Sequence, residues 1–255
     1  MKTNKQKLFL LGGYDLEMLT IRQMLEGRDD SIIMDKHLQW DNARLSAYQN
    51  VFPHSASYGI YGIELQEDCP IPPNYHRIDH HNDWADKPSS LEQVAVVLGT
   101  ELNHYQQLVA ANDKGYIPAM KALGASQEEM VDIRRKDRAA QGVTEEDEVL
   151  AEKSTAEHLH IYKGITVVKA FTSRFSPICD RLYPYQRLLV YTDAEWMFYG
   201  EGKAELVSLL ANDISQKRVF HGGGDNGYIG AVQNVFGQAE IEQFVNKIIK
   251  RYVYA

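Results

Sequence analysis

The sequence predicts an α/β fold, a mainly parallel sheet with flanking helices, joined by a helical linker to a smaller α+β domain. Two patterns carry this reading. Up to about residue 99, short apolar runs alternate with stretches of helical periodicity, the rhythm of β-α-β units. Beyond about residue 161, runs rich in β-branched and aromatic residues dominate instead. A chain of 255 residues is also long enough for two domains, which the composition places at 1–125 and 161–255 with the linker at 126–160.

Taken in order, KLFLLGG (7–13) reads as a strand, DLEMLTIRQMLEG (15–27) as a helix, SIIMD (31–35) as a strand and DNARLSAYQNVF (41–52) as a helix capped by Asp41. SYGIYGIEL (57–65) and HRIDHH (76–81) are further strands, and SSLEQVAVVLG (89–99) a helix. The polar stretch 126–160 reads as two helices, because Ser126 with Glu129 and Thr144 with Asp147 have capping-box spacing. GITVVKAF, RLLVYTDAEWMFYG and KRVFHGGG then supply strands, with KAELVSLLAND a helix among them. The last helix repeats apolar residues at Ile241, Phe244, Val245, Ile248, Ile249 and Tyr252, a core-facing stripe.

Composition excludes some functions. A net charge of −8 argues against duplex nucleic acid, which needs clustered cations, although a divalent metal could still bring a small phosphorylated substrate to an acidic site. No apolar run approaches the ~20 residues that span a bilayer, so no membrane partner is expected. The N-terminal apolar patch is only LFLL and lacks a small-residue cleavage site, which reads as the start of a cytoplasmic protein. Cys69 and Cys179 stand in unlike contexts without ligand spacing and read as reduced thiols.

Chemistry gathers where strands run out: Asp15 and Glu17 in GGYDLEM, Glu64 in YGIEL, Asp79, His80 and His81 in RIDHH, and Asp113 in AANDKGYI. Any one of these acids alone reads as a cap or turn residue. Together, oxygen ligands with some imidazole would suit Mn²⁺ or a similar divalent ion, with Mg²⁺ possible. Asp35 and His37, after the second strand, could add a ligand. Arg174 and Arg181 are either phosphate clamps or surface ion pairs. Tyr228 could stack on a base or simply pack.

In order and context these stretches resemble the DHH phosphoesterases. Asp79, His80 and His81 match the namesake motif. KPSSLEQVAVVL (87–98) is similar to the helix that follows it, Asp113 falls where the family places an acid after an apolar helix, and HGGGDNGYIGA (221–231) resembles the glycine signature of the DHH-associated domain. The resemblance implies a manganese-bearing α/β domain and a C-terminal domain that grips substrate across a cleft. It implies hydrolysis of a phosphoester or phosphoanhydride, most often in a nucleotide or short single-stranded oligonucleotide, and allows a homodimer.

Carried over by position, Asp15 and Glu17 match the family's first acid pair, Glu64 the acid before DHH, His80 a metal ligand and Asp113 the acid that bridges the two metals, the set as a whole holding one or two Mn²⁺ ions. His81 would face the substrate phosphate and Asp79 would orient the turn. Gly222, Gly223 and Gly224, with Asp225, Asn226 and Arg174, would contact substrate. The pattern departs at four places, at two of which Glu17 and Glu64 each stand where the family usually has Asp. Leu11, Gly12 and Gly13 stand where the family has a histidine, and Asp225 stands where it has another. A second reading follows, a protein of the same fold that binds a nucleotide or anion without hydrolysing it.

Overall fold

The structure, a computed structural model, describes residues 6–54 and 57–253; the basic start at 1–5 lies outside the described residues. The chain divides into two compact units, Met1–Gly142 and Val143–Ala255.

In the first unit, β1 (Lys7–Leu11), β2 (Ser31–Met34), β3 (Gly59–Ile63) and β4 (Tyr75–Ile78) pair in parallel in the order β2-β1-β3-β4. Successive residues of a strand face opposite sides of its sheet, and β1 is buried on both. Phe9 and Leu11 join one core with Ile21 of α1 (Leu16–Leu25), Leu91 and Val94 of α2 (Ser90–Leu98), Leu108 of α3 (His104–Ala122) and Ile133 of α4 (Gln127–Ala140). Leu8 and Leu10 pack into another with Ile60, Leu45 and Tyr48. The strand order reverses between β1 and β3, and the carboxyl ends flanking such a reversal leave a crevice for ligands. Asp15 follows β1 and Glu64 follows β3.

Two local features differ from expectation. The helix expected over 41–52 is instead a turn followed by a 3-10 segment, Leu45–His54. Asp41 therefore caps no helix: it lies within the turn, which the Asn42 side chain closes by accepting the Gln39 N–H at 2.8 Å. Arg44 bridges to Gln66 and Ser46 bonds Asp68, which draws the next residues along the sheet edge. The run 187–200 folds as a hairpin of two strands, because the Thr192 hydroxyl accepts the N–H groups of Ala194 and Glu195 and bends the chain between them.

The stretch 126–160 forms α4 and α5 (Glu145–His158), opened by the expected capping boxes at Ser126 and Thr144. α4 packs on α1 and α3 in the first unit, and α5 packs on α6 (Ser176–Leu182) and β6 in the second. The second unit holds a mixed six-stranded sheet, ordered β5-β6-β7-β8-β10-β9. Its strands are β5 (Leu159–Tyr162), β6 (Ile165–Lys169), β7 (Arg187–Tyr191), β8 (Trp196–Gly200), β9 (Val219–Gly222) and β10 (Tyr228–Ala231). Val168 and Val190 face Ala151 of α5 and Ile178 of α6, while Val167, Leu189 and Phe198 join Leu206 of α7 (Lys203–Leu209) and Ile241 and Val245 of α9 (Gln238–Val253). A short α8 (Ala211–Ser215) precedes β9. Among the described residues, no helix is long and apolar enough to cross a membrane.

Candidate metal centre

The site of the first unit is assembled at the carboxyl ends of its strands. Asp15 caps α1, its Oδ1 accepting the Met18 N–H at 2.8 Å. Glu17, in the first turn of that helix, accepts the Leu91 N–H through Oε1 at 3.0 Å. Leu91 lies in the first turn of α2, where unpaired N–H groups and the helix dipole favour a carboxylate. That bond fixes Glu17 and leaves Oε2 free to point inward. Glu64 leaves β3 with φ +53°, a left-handed conformation that costs a non-glycine residue about 1–3 kcal/mol. Its N–H donates to the Ile78 carbonyl at 2.8 Å, which holds the turn in place. After β4, Asp79 Oδ1 accepts the His81 N–H at 2.9 Å and lies 3.4 Å from His81 Nδ1, so Asp79 orients His81. Asp113 comes from α3, just before that helix breaks at Gly115 and Tyr116.

These side chains converge. His80 Nε2 lies 2.6 Å from Asp113 Oδ2, 3.3 Å from Glu17 Oε2 and 3.4 Å from Glu64 Oε1. Ligand atoms of Glu64, His80, His81 and Asp113 all lie within 4.8 Å of one another. Yet Glu17 Oε2, Glu64 Oε1, His80 Nε2, His81 Nδ1 and Asp113 Oδ2 are all buried without a properly directed hydrogen bond. Buried polar atoms are ordinarily paired, so five orphaned ones aimed at a common point need an absent partner. Oxygen and imidazole donors in this combination fit a divalent cation.

The electrostatics agree. Burial, then repulsion from Glu17 and Asp113, pushes the Glu64 carboxyl up to about 8. Asp15 is raised well above the usual carboxylate range by burial and by Glu64 and Asp113, and Asp113 is raised by burial and Glu17. Burial disfavours a charged His80, but its contacts with Asp113, Glu17 and Glu64 outweigh that and raise the imidazole to about 12. Protons stand in for positive charge in this cluster, and a dication would displace them. Asp79 behaves differently: its partial burial is outweighed by its bonds to His81, which lower its pKa. Ser90, unremarked in the sequence, is fully buried with its hydroxyl beside Glu64.

No family model matches the chain, and no curated protein matches it at a significant level. Solved structures do match. A pGpG-specific phosphodiesterase of Vibrio cholerae is similar over 98% of this chain and 100% of its own, with 12% identity and a TM-score of 0.51. The DHH domain of a member of the s1p family of ribosomal proteins is similar over 96% of this chain and 87% of its own, with 12% identity and a TM-score of 0.52. The chain has the DHH-family fold.

In this DHH-fold chain the place of the missing histidine is closed. Leu11 is buried, and its carbonyl accepts the Tyr48 hydroxyl at 2.7 Å. A Cβ on Gly12 would lie 2.3 Å from the Ile63 carbonyl oxygen and 2.5 Å from that of Glu64. One on Gly13 would lie 2.7 Å from Cε2 and Cζ2 of Trp40. Trp40, missed in the sequence, also meets His81 edge to face at 5.2 Å between ring centres. The one available clue was a large aromatic in the mostly polar stretch 35–42. Asp35 and His37 do not replace the lost ligand. Asp35 accepts from Arg22 at 3.2 Å and from the His37 N–H at 2.7 Å, while His37 is exposed with its ring against Tyr14.

The glycine signature lies in the second unit, after β9. Gly223 and Gly224 have φ of +71° and +63°. The ammonium of Lys203, itself buried, donates to the carbonyls of Gly222 (3.0 Å) and Gly224, tying the loop down from α7. Lys203 gave no sign in the sequence because its partner carbonyls are remote in the chain. Asp225, Asn226 and Arg174 are exposed, and Arg174 anchors through its N–H to the Thr172 hydroxyl at 3.1 Å. Arg181 is engaged as an ion pair, with Nη2 2.8 Å from Glu148 Oε2.

Proposed function

We propose that this protein is a metal-dependent phosphoesterase that hydrolyses a small phosphorylated substrate, a nucleotide or short oligonucleotide. The observation that carries the reading is the convergence of five orphaned, buried ligand atoms from Glu17, Glu64, His80, His81 and Asp113. Asp15 completes the acid cluster through its cap position. Mn²⁺ is the ion of choice, with Mg²⁺ second. When bound, the ion supplies Lewis-acid chemistry, polarising the phosphoryl group and making water nucleophilic at neutral pH.

The chain's own residues do the rest. Glu17 and Glu64 are held on helix and strand ends, so their geometry exists before substrate arrives. His81 is the most open member of the set, its side chain 39% exposed, and Asp79 fixes its orientation. In this reading it donates a hydrogen bond to a phosphoryl oxygen. Gly222, Gly223 and Gly224, with Asp225, Asn226 and Arg174, are assigned to substrate. Cys69 and Cys179 form no disulfide, which suits a cytoplasmic protein.

Because a pGpG-specific phosphodiesterase is similar over its full length, pGpG is the first substrate to test, followed by other linear dinucleotides and 3′-phosphoadenosine 5′-phosphate. Product release should require Mn²⁺, and His80→Ala or Asp113→Ala should lower kcat/KM by about 1,000-fold or more, the scale of losing one group of strong transition-state stabilisation. Turnover that survives both substitutions would place the chemistry elsewhere. Tight binding of metal and dinucleotide without turnover would favour the binding-protein reading instead.

A further inference from the structure

Trp40 is built into the rim of the metal centre. It occupies the tip of a turn closed from both sides, Gln39 N–H to Asn42 Oδ1 at 2.8 Å and Asn42 N–H to the Gln39 carbonyl at 2.9 Å. The benzenoid part of the indole rests against Gly13, two residues before Asp15, in the space a side chain there would fill. Its edge-to-face partner is His81, next in the chain to His80. The ring is therefore held between Gly13, near the start of the Asp15 helix, and His81 of the site, yet the residue remains 45% exposed. The rest of its turn, Gln39, Asp41 and Asn42, is polar. Among the described residues, Trp40 joins neither of the first unit's two cores.

We propose that Trp40 is a specificity-determining residue whose exposed ring stacks on the nucleobase of a substrate whose phosphate sits at the Glu64, His80, His81 and Asp113 cluster. This rests on the phosphoesterase reading and adds to it the residue that meets the planar heterocycle beside the phosphate. The physical basis is that every base offers a π face, and an aromatic side chain held rigidly gains stacking without losing much conformational freedom. Contact with His81 also ties the base platform to the residue assigned to the phosphate.

The test is calorimetric titration of the whole protein, with Mn²⁺ present, by GMP and by ribose 5-phosphate, which differ only in the base. Wild type should bind GMP more tightly. Trp40→Ala should weaken GMP about 10- to 100-fold, the range for losing one stacked base, and leave ribose 5-phosphate unchanged. Trp40→Phe should retain most of the preference. Trp40→Leu keeps apolar packing on Gly13 and His81 without a π face, so it should lose the preference even if the alanine variant misfolds. Equal affinity of wild type for the two ligands, loss of both ligands together in Trp40→Leu, or no binding of either ligand by wild type would overturn the assignment. Hydrolysis of pGpG separates the two readings. A base preference that depends on Trp40 in a protein without turnover keeps this assignment and removes the phosphoesterase, while turnover indifferent to Trp40 does the reverse.

Discussion

Asp180 gives the second unit a pH dependence that no ligand explains. Burial in α6 pushes its carboxyl up to about 8, and the attraction of Arg181 offsets only part of that. An unfolded aspartate titrates near ~3.9. Between about pH 4 and about pH 8 the folded chain therefore holds a proton that the unfolded chain releases, so stability is fully present at the acid end and falls as pH rises. The slope cannot exceed about 1.4 kcal/mol per pH unit for one group. Thermal unfolding at pH 5 and at pH 8 should show a smaller difference in Asp180→Asn than in wild type; identical differences would refute the assignment. The same scale shows what a linear reading of residues can and cannot reach. Asp79, His80 and His81 are adjacent in the chain and so were visible together, and Asp113 stands just after the apolar run LVAA within α3. Trp40 and Lys203 act on partners that only folding brings near, namely Gly13 and His81 for the one and the loop carbonyls for the other. The glycines at 12 and 13 read as a lost ligand, whereas their reason is backbone and indole contact.

At the scale of elements, α4 is more than a connector. The Leu16 N–H, beside Asp15, points to Asp137 Oδ1 at 3.4 Å, and Arg134 Nη1 donates to Asp137 Oδ2 at 2.7 Å and to Asn112 Oδ1, beside Asp113, at 3.0 Å. Arg134 and Asp137 are both buried, so this ion pair joins the start of α1 to α3 from within the core. Removing one member of such a pair leaves a buried charge and costs about 3–5 kcal/mol. Asp137→Ala should lose that much in urea unfolding. Because groups that orient ligands affect metal affinity by about 10- to 100-fold, it should also weaken Mn²⁺ binding by that factor. An unchanged Mn²⁺ titration in a folded Asp137→Ala protein would reduce α4 to packing. The capping boxes made the two helices of 126–160 readable, since Ser126 and Thr144 each pair with an acid three residues on. The segment after Asp41 was not readable in the same way. Its conformation is set by Gln66 and Asp68, which no local pattern reveals.

At the scale of the molecule, each unit has its own sheet and its own buried clusters, α1 to α4 on one sheet and α5, α6, α7 and α9 on the other. The alternation of apolar runs with helical patterns made this division visible in outline, because a sheet buried on both faces leaves its signature in central strands such as β1, β3 and β7. Independent cores allow independent unfolding, so a single free energy need not describe the whole chain. The proposed ligands Asp15, Glu17, Glu64, His80 and Asp113, with the phosphate-facing His81, all belong to Met1–Gly142. Linkage then makes a sharp expectation: free Mn²⁺ at 100 times its Kd should stabilise the unit that binds it by about 2.7 kcal/mol and leave the other unchanged. Scanning calorimetry with and without Mn²⁺ should show one transition displaced upward and one fixed, with His80→Ala abolishing the displacement. Displacement of the transition that also responds to Asp180→Asn would assign the ion to the second unit instead, and a single transition moving as a whole would show that the two cores unfold as one.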